Sequence, residues 1–329
     1  MYEPNGPGRW LAGLCLAAAL CGCVSAGAVE VTGRMLVPVG HTVGIKLFSR
    51  GILVVKLTEG GSPAKSCGLK TGDVILECGG TAVTSTEQFQ SLLQKTTGET
   101  ELEVRREGDT VTLSVEPQTN DQGVNSIGAW VRDSMAGIGT ITYYDPQSGE
   151  FGALGHGVTD VDTNLLMPFQ RGSILPSTVK AVRRGAPGSA GELRGDFDLA
   201  TSLGSLSANT DRGVFGVLED GDYAAGEAIP VGQARTGRAV IRSNVEGDVT
   251  EEYEIEILKV RGGAADGRDL VIGVKDERLL EKTGGIVQGM SGSPIIQDGT
   301  LVGAVTHVLL NDPCKGYGIA INTMLNAAG

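Results

Sequence analysis

Glycine constrains this chain more than any other residue: 51 of its 329 positions are Gly, about twice the ordinary share of roughly 7%. They keep no three-residue period, so a collagen helix is excluded. Glycines scattered in this way serve tight turns and backbone with positive φ. Long helical periodicities are missing, and short apolar alternations recur instead. Ile138 to Tyr144, the turn residues Asp145 to Gly149, and Phe151 to Leu154 read as a hairpin. Tyr253, Ile255 and Ile257 alternate with Glu252, Glu254 and Glu256, the pattern of a half-solvated strand. Leu270 to Val274 and Leu301 to Val305 read as buried strands. The expectation is a mainly β protein with a small α/β module, its larger part an antiparallel barrel or sandwich.

The length allows two domains. Arg9 precedes an apolar stretch from Trp10 to Val29 that reads as a signal peptide or membrane anchor over residues 1–29. Ala26-Gly27-Ala28 offers small residues for cleavage, and Leu20-Cys21-Gly22-Cys23 resembles a lipobox; each alternative exports the remainder. A net charge of −12 without basic clusters excludes nucleic acid as a partner. Three cysteines, Cys67, Cys78 and Cys314, lie beyond the apolar stretch. They lack metal-ligand spacing, although Cys67 and Cys78 could pair if folding brings them together. With three dispersed histidines, no metal site and no cofactor is expected.

Residues 35–117 form the first expected domain. Gly61-Ser62-Pro63-Ala64 opens a short helix, and Gly72-Asp73 turns into a buried strand. Thr84 to Glu87 reads as a capping box before a helix marked by Phe89, Leu92 and Leu93. Glu107-Gly108-Asp109 closes a terminal hairpin. The string Gly68-Leu69-Lys70-Thr71-Gly72-Asp73-Val74-Ile75 resembles exported bacterial PDZ domains. That resemblance implies a carboxylate-binding loop at Val43-Gly44-Ile45 and a peptide strand added beside the capped helix. Its ligand would be a protein C-terminus or the chain's own N-terminal segment. A polar linker at 118–126 separates it from a second domain at 127–329.

The sharpest chemical motif is Gln288-Gly289-Met290-Ser291-Gly292-Ser293-Pro294. It resembles the nucleophile loop of chymotrypsin-like peptidases, which implies a chymotrypsin-like β-barrel domain. A nucleophilic Ser needs a tight turn that presents its hydroxyl, and flanking glycines let a substrate carbonyl reach the main chain. The N–H groups of Gly289 and Ser291 are the expected oxyanion donors. A base is required, and His156, bracketed by Gly155 and Gly157 after a strand, is the candidate. His307 lies in an apolar run and is expected to pack there, and His41 falls in the other domain. The carboxylate is Asp276, which reads equally as a helix N-cap; Asp160, Asp196 and Asp198 compete with it. An α/β-hydrolase is disfavoured, because Ser293 stands where that motif closes with Gly.

Together, Gly152-Ala153-Leu154-Gly155-His156, Gly284-Gly285-Ile286-Val287-Gln288-Gly289-Met290-Ser291-Gly292-Ser293-Pro294 and Ala304-Val305-Thr306-His307-Val308 resemble the stage IV sporulation protein B peptidases of spore-forming Firmicutes. The resemblance assigns Ser291 as nucleophile, His156 as base and Asp276 as the third member. It implies limited proteolysis between forespore and mother cell. The substrate would be a membrane-bound inhibitor complex of an intramembrane protease that processes a sigma factor. It also implies self-cleavage near the N-terminus, with membrane-anchored or released forms. The alternative is a catalytically inactive exported PDZ adaptor.

Overall fold

A computed structural model describes residues 33–120, 122–219 and 226–328. The expected signal or anchor at 1–29 lies outside the described residues. Among the described residues no helix is long and apolar enough to cross a membrane. The protein is mainly β, with a PDZ-like N-terminal region and a β-barrel.

The PDZ-like unit forms as its turn chemistry dictates. Glu107 and Gly108 have φ of 52° and 98°, the positive pair that a two-residue turn needs to join twisted strands. That turn joins Thr100–Arg106 to Asp109–Val115. Phe89 and Leu93 of the helix Thr86–Lys95 pack on Ile52, Val54, Ile75, Leu102 and Val104. The cap of this helix is Ser85, one residue later than the sequence pattern suggests. Its extended backbone aims its hydroxyl at the Gln88 N–H, 3.1 Å away, while Thr84 is taken up by the Gln88 side-chain oxygen. The buried Asp73 carboxylate receives two bonds from the Arg106 guanidinium, at 2.7 and 2.6 Å. Cys67 and Cys78 remain free thiols, so the pairing the sequence allowed does not form.

Most of the remaining strands make two rings. In the first, Thr42–Leu57, Ala129–Tyr144, Glu150–Ala153, Gly213–Leu218, Gly204–Thr210 and Phe169–Arg183 are successive hydrogen-bonded neighbours. The last pairs back onto the first. Val43, Ile45, Ile141, Phe151, Ile174 and Val214 fill this ring. The second is a closed antiparallel barrel of Gly237–Glu246, Val249–Val260, Leu270–Val274, Lys315–Ala320, Thr300–Val308 and Pro294–Gln297. Its interior holds Ile241, Tyr253, Ile255, Leu270, Ile272, Ile295 and Val305. Tyr143 and Phe215 from the first ring meet Leu301, Ala304 and Ile319 from the second, with Met324 of the helix Ile321–Leu325, in one buried cluster. Burial at about 25 cal/mol per Å² of apolar surface joins the rings into a single scaffold.

This architecture moves a domain boundary. Residues 35–48, expected in the PDZ unit, lie in the body of the rings. Residues 42–48 pair with Ser134–Thr140 on one side, and 43–49 pair with Phe169–Pro176 on the other. The strand Thr42–Leu57 then runs on into the PDZ-like unit, where Ile52 and Leu53 pair with Ile75 and Val74. The PDZ-like unit is therefore an insertion between two strands of the first ring. A strand shared by two units carries one unbroken apolar pattern, which is why the pattern alone does not divide it.

Candidate active site

Ser291 occupies the turn between the helix Glu277–Thr283 and the strand Pro294–Gln297 of the second barrel. The turn is held by its own amides. Gln288 N–H donates to Gly191 O at 2.9 Å, Met290 to Val287 O at 3.2 Å, Gly292 to Val305 O at 2.8 Å and Ser293 to Met290 O at 2.9 Å. The amides of Gly289 and Ser291 have no acceptor among the described residues. Thr140 of the first ring fastens the same turn from outside. Its hydroxyl donates to Gly289 O at 2.7 Å and its amide to Ser291 O at 3.0 Å. Two carbonyls of the turn are thus drawn toward Thr140, while the two amides expected to bind an oxyanion stay uncommitted.

His156 reaches the same place from the first ring. After the strand Glu150–Ala153 the backbone turns at Leu154 and Gly155, both with φ of 69°. The bare α-carbon of Gly155 faces Thr306, and a Cβ there would lie 2.9 Å from its methyl group. Gly292 lies against Leu154, so the Ser291 turn and the His156 turn are in direct contact. The Nδ1–H of His156 donates to Gly157 O at 2.8 Å. A carbonyl can only accept, so the bond assigns the proton to Nδ1 and leaves the Nε2 lone pair to act as base. Burial lowers the pKa of this imidazole and the Gly157 carbonyl partly opposes that shift. The ring is neutral at neutral pH, as a general base must be.

Two residues that sequence reasoning left aside complete the surroundings. Asn209 holds the segment after His156: its Oδ1 accepts from Val158 N–H at 2.8 Å, and its Nδ2 donates to Val158 O at 3.1 Å and Met167 O at 3.0 Å. A single Asn in a strand carries no sequence signal of that role. The other is His307, whose ring centroid lies 5.0 Å from that of His156 with the planes tilted by 41°. The register between Thr300–Val308 and Lys315–Ala320 shifts between Val305 and His307, and a bulge of this kind re-aims side chains. Thr306 O there accepts the Ser291 hydroxyl at 2.6 Å.

Asp276 is not brought to this cluster. Its carboxylate accepts from the amides of Arg278 and Leu279, as N-cap of Glu277–Thr283, and pairs with the Arg278 guanidinium at 3.0 Å. His307 is opposite Tyr317, and Tyr317 is opposite Val271. The strand ends at Val274, three residues past Val271 or about 10 Å at 3.3 Å per strand residue, and Asp276 lies two residues further along the chain. Asp160 is committed to Arg132 and to its own turn, and Asp198 accepts from Ala200 and Thr201. Asp196 is exposed in the ladder opposite Thr178. Replacing Asp276 by Ala is expected to cost about 1 kcal/mol of stability through the lost cap and to leave kcat within about threefold. A kcat loss near the ~10⁴-fold of a disrupted triad carboxylate would show instead that it serves His156.

Val43, Gly44 and Ile45 do not form a peptide-binding loop. They are strand residues with ladder partners on both sides, and a Cβ on Gly44 would lie 2.8 Å from the Phe197 side chain. Backbone committed to two neighbours has no amides to offer a carboxylate. A groove of about 570 Å³ instead separates the helix Thr86–Lys95 from residues 126–131, lined by Phe89, Gln90, Leu93, Ile127, Ala129 and Val131. Asp133 fastens one end by accepting from Thr86 N–H at 2.8 Å, and Asn125 fastens the other through Leu93 O at 3.1 Å.

Comparison with known proteins agrees with both parts. A PDZ domain family matches residues 54–106. A solved PDZ domain of an SdrC-like protein from Listeria monocytogenes is 19% identical over 25% of this chain and 87% of its own, with a TM-score of 0.23. No curated protein matches the chain. The SpoIVB peptidase S55 family matches residues 123–325, from the linker to the C-terminal helix. The chain belongs to the SpoIVB peptidase S55 family and is a serine peptidase.

Proposed function

We propose that this protein is an exported endopeptidase that makes limited cuts in protein substrates during sporulation signalling, with Ser291 as nucleophile and His156 as base. The observation that carries the reading is the Ser291 turn. Its hydroxyl donates to Thr306 O, two of its amides are uncommitted, and the His156 imidazole from the opposite ring stands against His307, the residue that follows Thr306. In this mechanism the Ser291 hydroxyl leaves Thr306 O and passes its proton to His156 Nε2 as Oγ attacks the scissile carbonyl. The carbonyl oxygen, now negative, is received by the amides of Gly289 and Ser291. His156 then returns the proton to the leaving amine, and water repeats the sequence on the acyl-enzyme.

The substrate class follows from the two parts together, a peptidase and a peptide-binding module. A membrane-bound inhibitor complex of an intramembrane protease is the proposed target, and the space between forespore and mother cell the proposed location. The apolar stretch after Arg9 and the family support both. Self-cleavage near the N-terminus belongs to the same reading. An extended protein C-terminus, laid along residues 126–131 and against Phe89 and Leu93, is the proposed ligand of the PDZ groove.

The full chain incubated with an unfolded protein substrate is expected to cleave it, and His156→Ala to lower kcat by about 10⁴-fold or more. A His156→Ala protein as active as wild type defeats the mechanism. Peptide binding without cleavage by the wild type would favour the adaptor.

A further inference from the structure

Resting on that reading, we infer that the oxyanion hole is held in shape from the first ring, with Thr140 as its positioning residue and the Leu193 amide as a second support. The two donors, the amides of Gly289 and Ser291, belong to the second barrel. Much of what aims them comes from across the junction between the rings.

Four consecutive carbonyls of the Ser291 turn each accept a hydrogen bond. Gln288 O accepts from Leu193 N–H at 2.8 Å, Gly289 O from the Thr140 hydroxyl at 2.7 Å, Met290 O from Ser293 N–H at 2.9 Å and Ser291 O from Thr140 N–H at 3.0 Å. Three of these four donors stand outside the turn. In a trans peptide the C=O and the following N–H point to opposite sides of the chain. By holding Gln288 O, Leu193 therefore turns the Gly289 N–H away from itself, and Ser293 does the same for the Ser291 N–H through Met290 O. Leu193 lies on the strand Glu192–Phe197, which pairs with Phe169–Arg183 of the first ring.

Gly289 is the joint that most needs holding. Its φ is 98°, and with no Cβ its two flanking peptides rotate about it more freely than about any other residue type. Leu193 fixes the peptide before Gly289, and the Thr140 hydroxyl fixes the peptide after it. Thr140 is fully buried. Its backbone is already occupied, the N–H by Ser291 O and the carbonyl by Leu154 N–H at 3.2 Å. Packing alone would be served by valine, which has no hydroxyl to satisfy. The hydroxyl instead joins residues 149 positions apart and restrains the residue that carries an oxyanion donor. Such donors stabilise a transition state because they are aimed before the charge develops. A Gly289 free to rotate would present its N–H for only part of the time. The site is thus divided twice between the rings: nucleophile from base, and oxyanion donors from their supports.

The test compares Thr140→Val and Thr140→Ser in the full chain, with pH profiles of kcat and kcat/KM on a protein or peptide substrate. A third protein carries the α-hydroxy analogue of leucine at position 193, so that an ester oxygen replaces that N–H and the side chain is kept. Thr140→Val retains both backbone bonds and loses only the hydroxyl. It is expected to fold and to lose at least tenfold in kcat, short of the roughly 10²–10³-fold for outright removal of an oxyanion donor. KM should stay within twofold and the acidic limb should not move, because His156 is untouched. Thr140→Ser, which keeps the hydroxyl, should recover most of kcat. The ester at 193 should repeat the pattern of Thr140→Val, and it decides the matter alone if Thr140→Val does not fold. The inference is overturned if Thr140→Val or the ester protein keeps wild-type kcat. It is equally overturned if Thr140→Ser loses as much as Thr140→Val, which is the behaviour of a packing residue, or if the loss comes with a raised KM or a displaced limb. An inactive wild type, or an active Ser291→Ala, would instead remove the peptidase mechanism beneath it, so the two failures are distinguishable.

Discussion

Ser291→Ala is expected to cleave protein substrate about 10⁵-fold more slowly than wild type while remaining folded. Removing a serine nucleophile whose base and oxyanion donors stay in place costs roughly 10⁵–10⁶ in kcat. The structural cost is small. The hydroxyl makes one hydrogen bond, to Thr306 O, worth about 1 kcal/mol, and Tm should fall by only about 2–4 °C. Separating the two readouts matters, because a variant that lost both activity and fold would say nothing about nucleophilicity. Near-wild-type cleavage by Ser291→Ala would end the assignment, whatever the state of the His156 variants.

Gly292→Ala carries the largest expected loss of stability. Gly292 has φ of 99°, and a Cβ there would lie 2.0 Å from Thr140 O and 2.6 Å from Leu154 N, both backbone atoms. Positive φ costs an alanine about 1–2 kcal/mol. The overlap adds more, because neither neighbour can move without disturbing a strand pairing or the turn into His156. We expect at least about 3 kcal/mol in all. Activity should fall further than stability explains, since the displaced backbone lies between nucleophile and base, and misplacement by about 1 Å costs roughly 100-fold. Gly299→Ala is the matched control: φ is 74° and no atom lies within 4 Å of the added methyl, so only the conformational cost remains. If thermal unfolding places the two variants at the same Tm, the tight junction at Gly292 is not what joins the rings.

The chemistry was more legible in the chain than the path by which it is assembled. The Gly289 to Pro294 motif is local, so its residue types point to a tight exposed serine turn, and the glycines beside His156 point to a loop histidine, which is where the structure places them. Alternation of Tyr253, Ile255 and Ile257 against glutamates identifies a strand, because one face is wet. Three features were hidden for physical reasons. Residues 42–48 carry an apolar pattern that fits a strand in either unit, and only their pairing with Ser134–Thr140 assigns them to the ring. His307 sits among apolar neighbours, where an imidazole reads as core; the bulge that turns it toward His156 leaves no trace in the pattern. Asp276 satisfied two descriptions at once, cap and catalytic acid. Its spacing from Ser291 could not tell them apart, and its hydrogen bonds are those of the cap.

The central claim is that the Ser291 hydroxyl is made nucleophilic by His156. Labelling of the full chain by a fluorophosphonate probe, with the modified residue identified by mass spectrometry, tests that directly. A single adduct on Ser291 in the wild type, formed at least 100-fold more slowly in His156→Ala, is the predicted result. An adduct on another serine, or equal labelling rates in the two proteins, would contradict it.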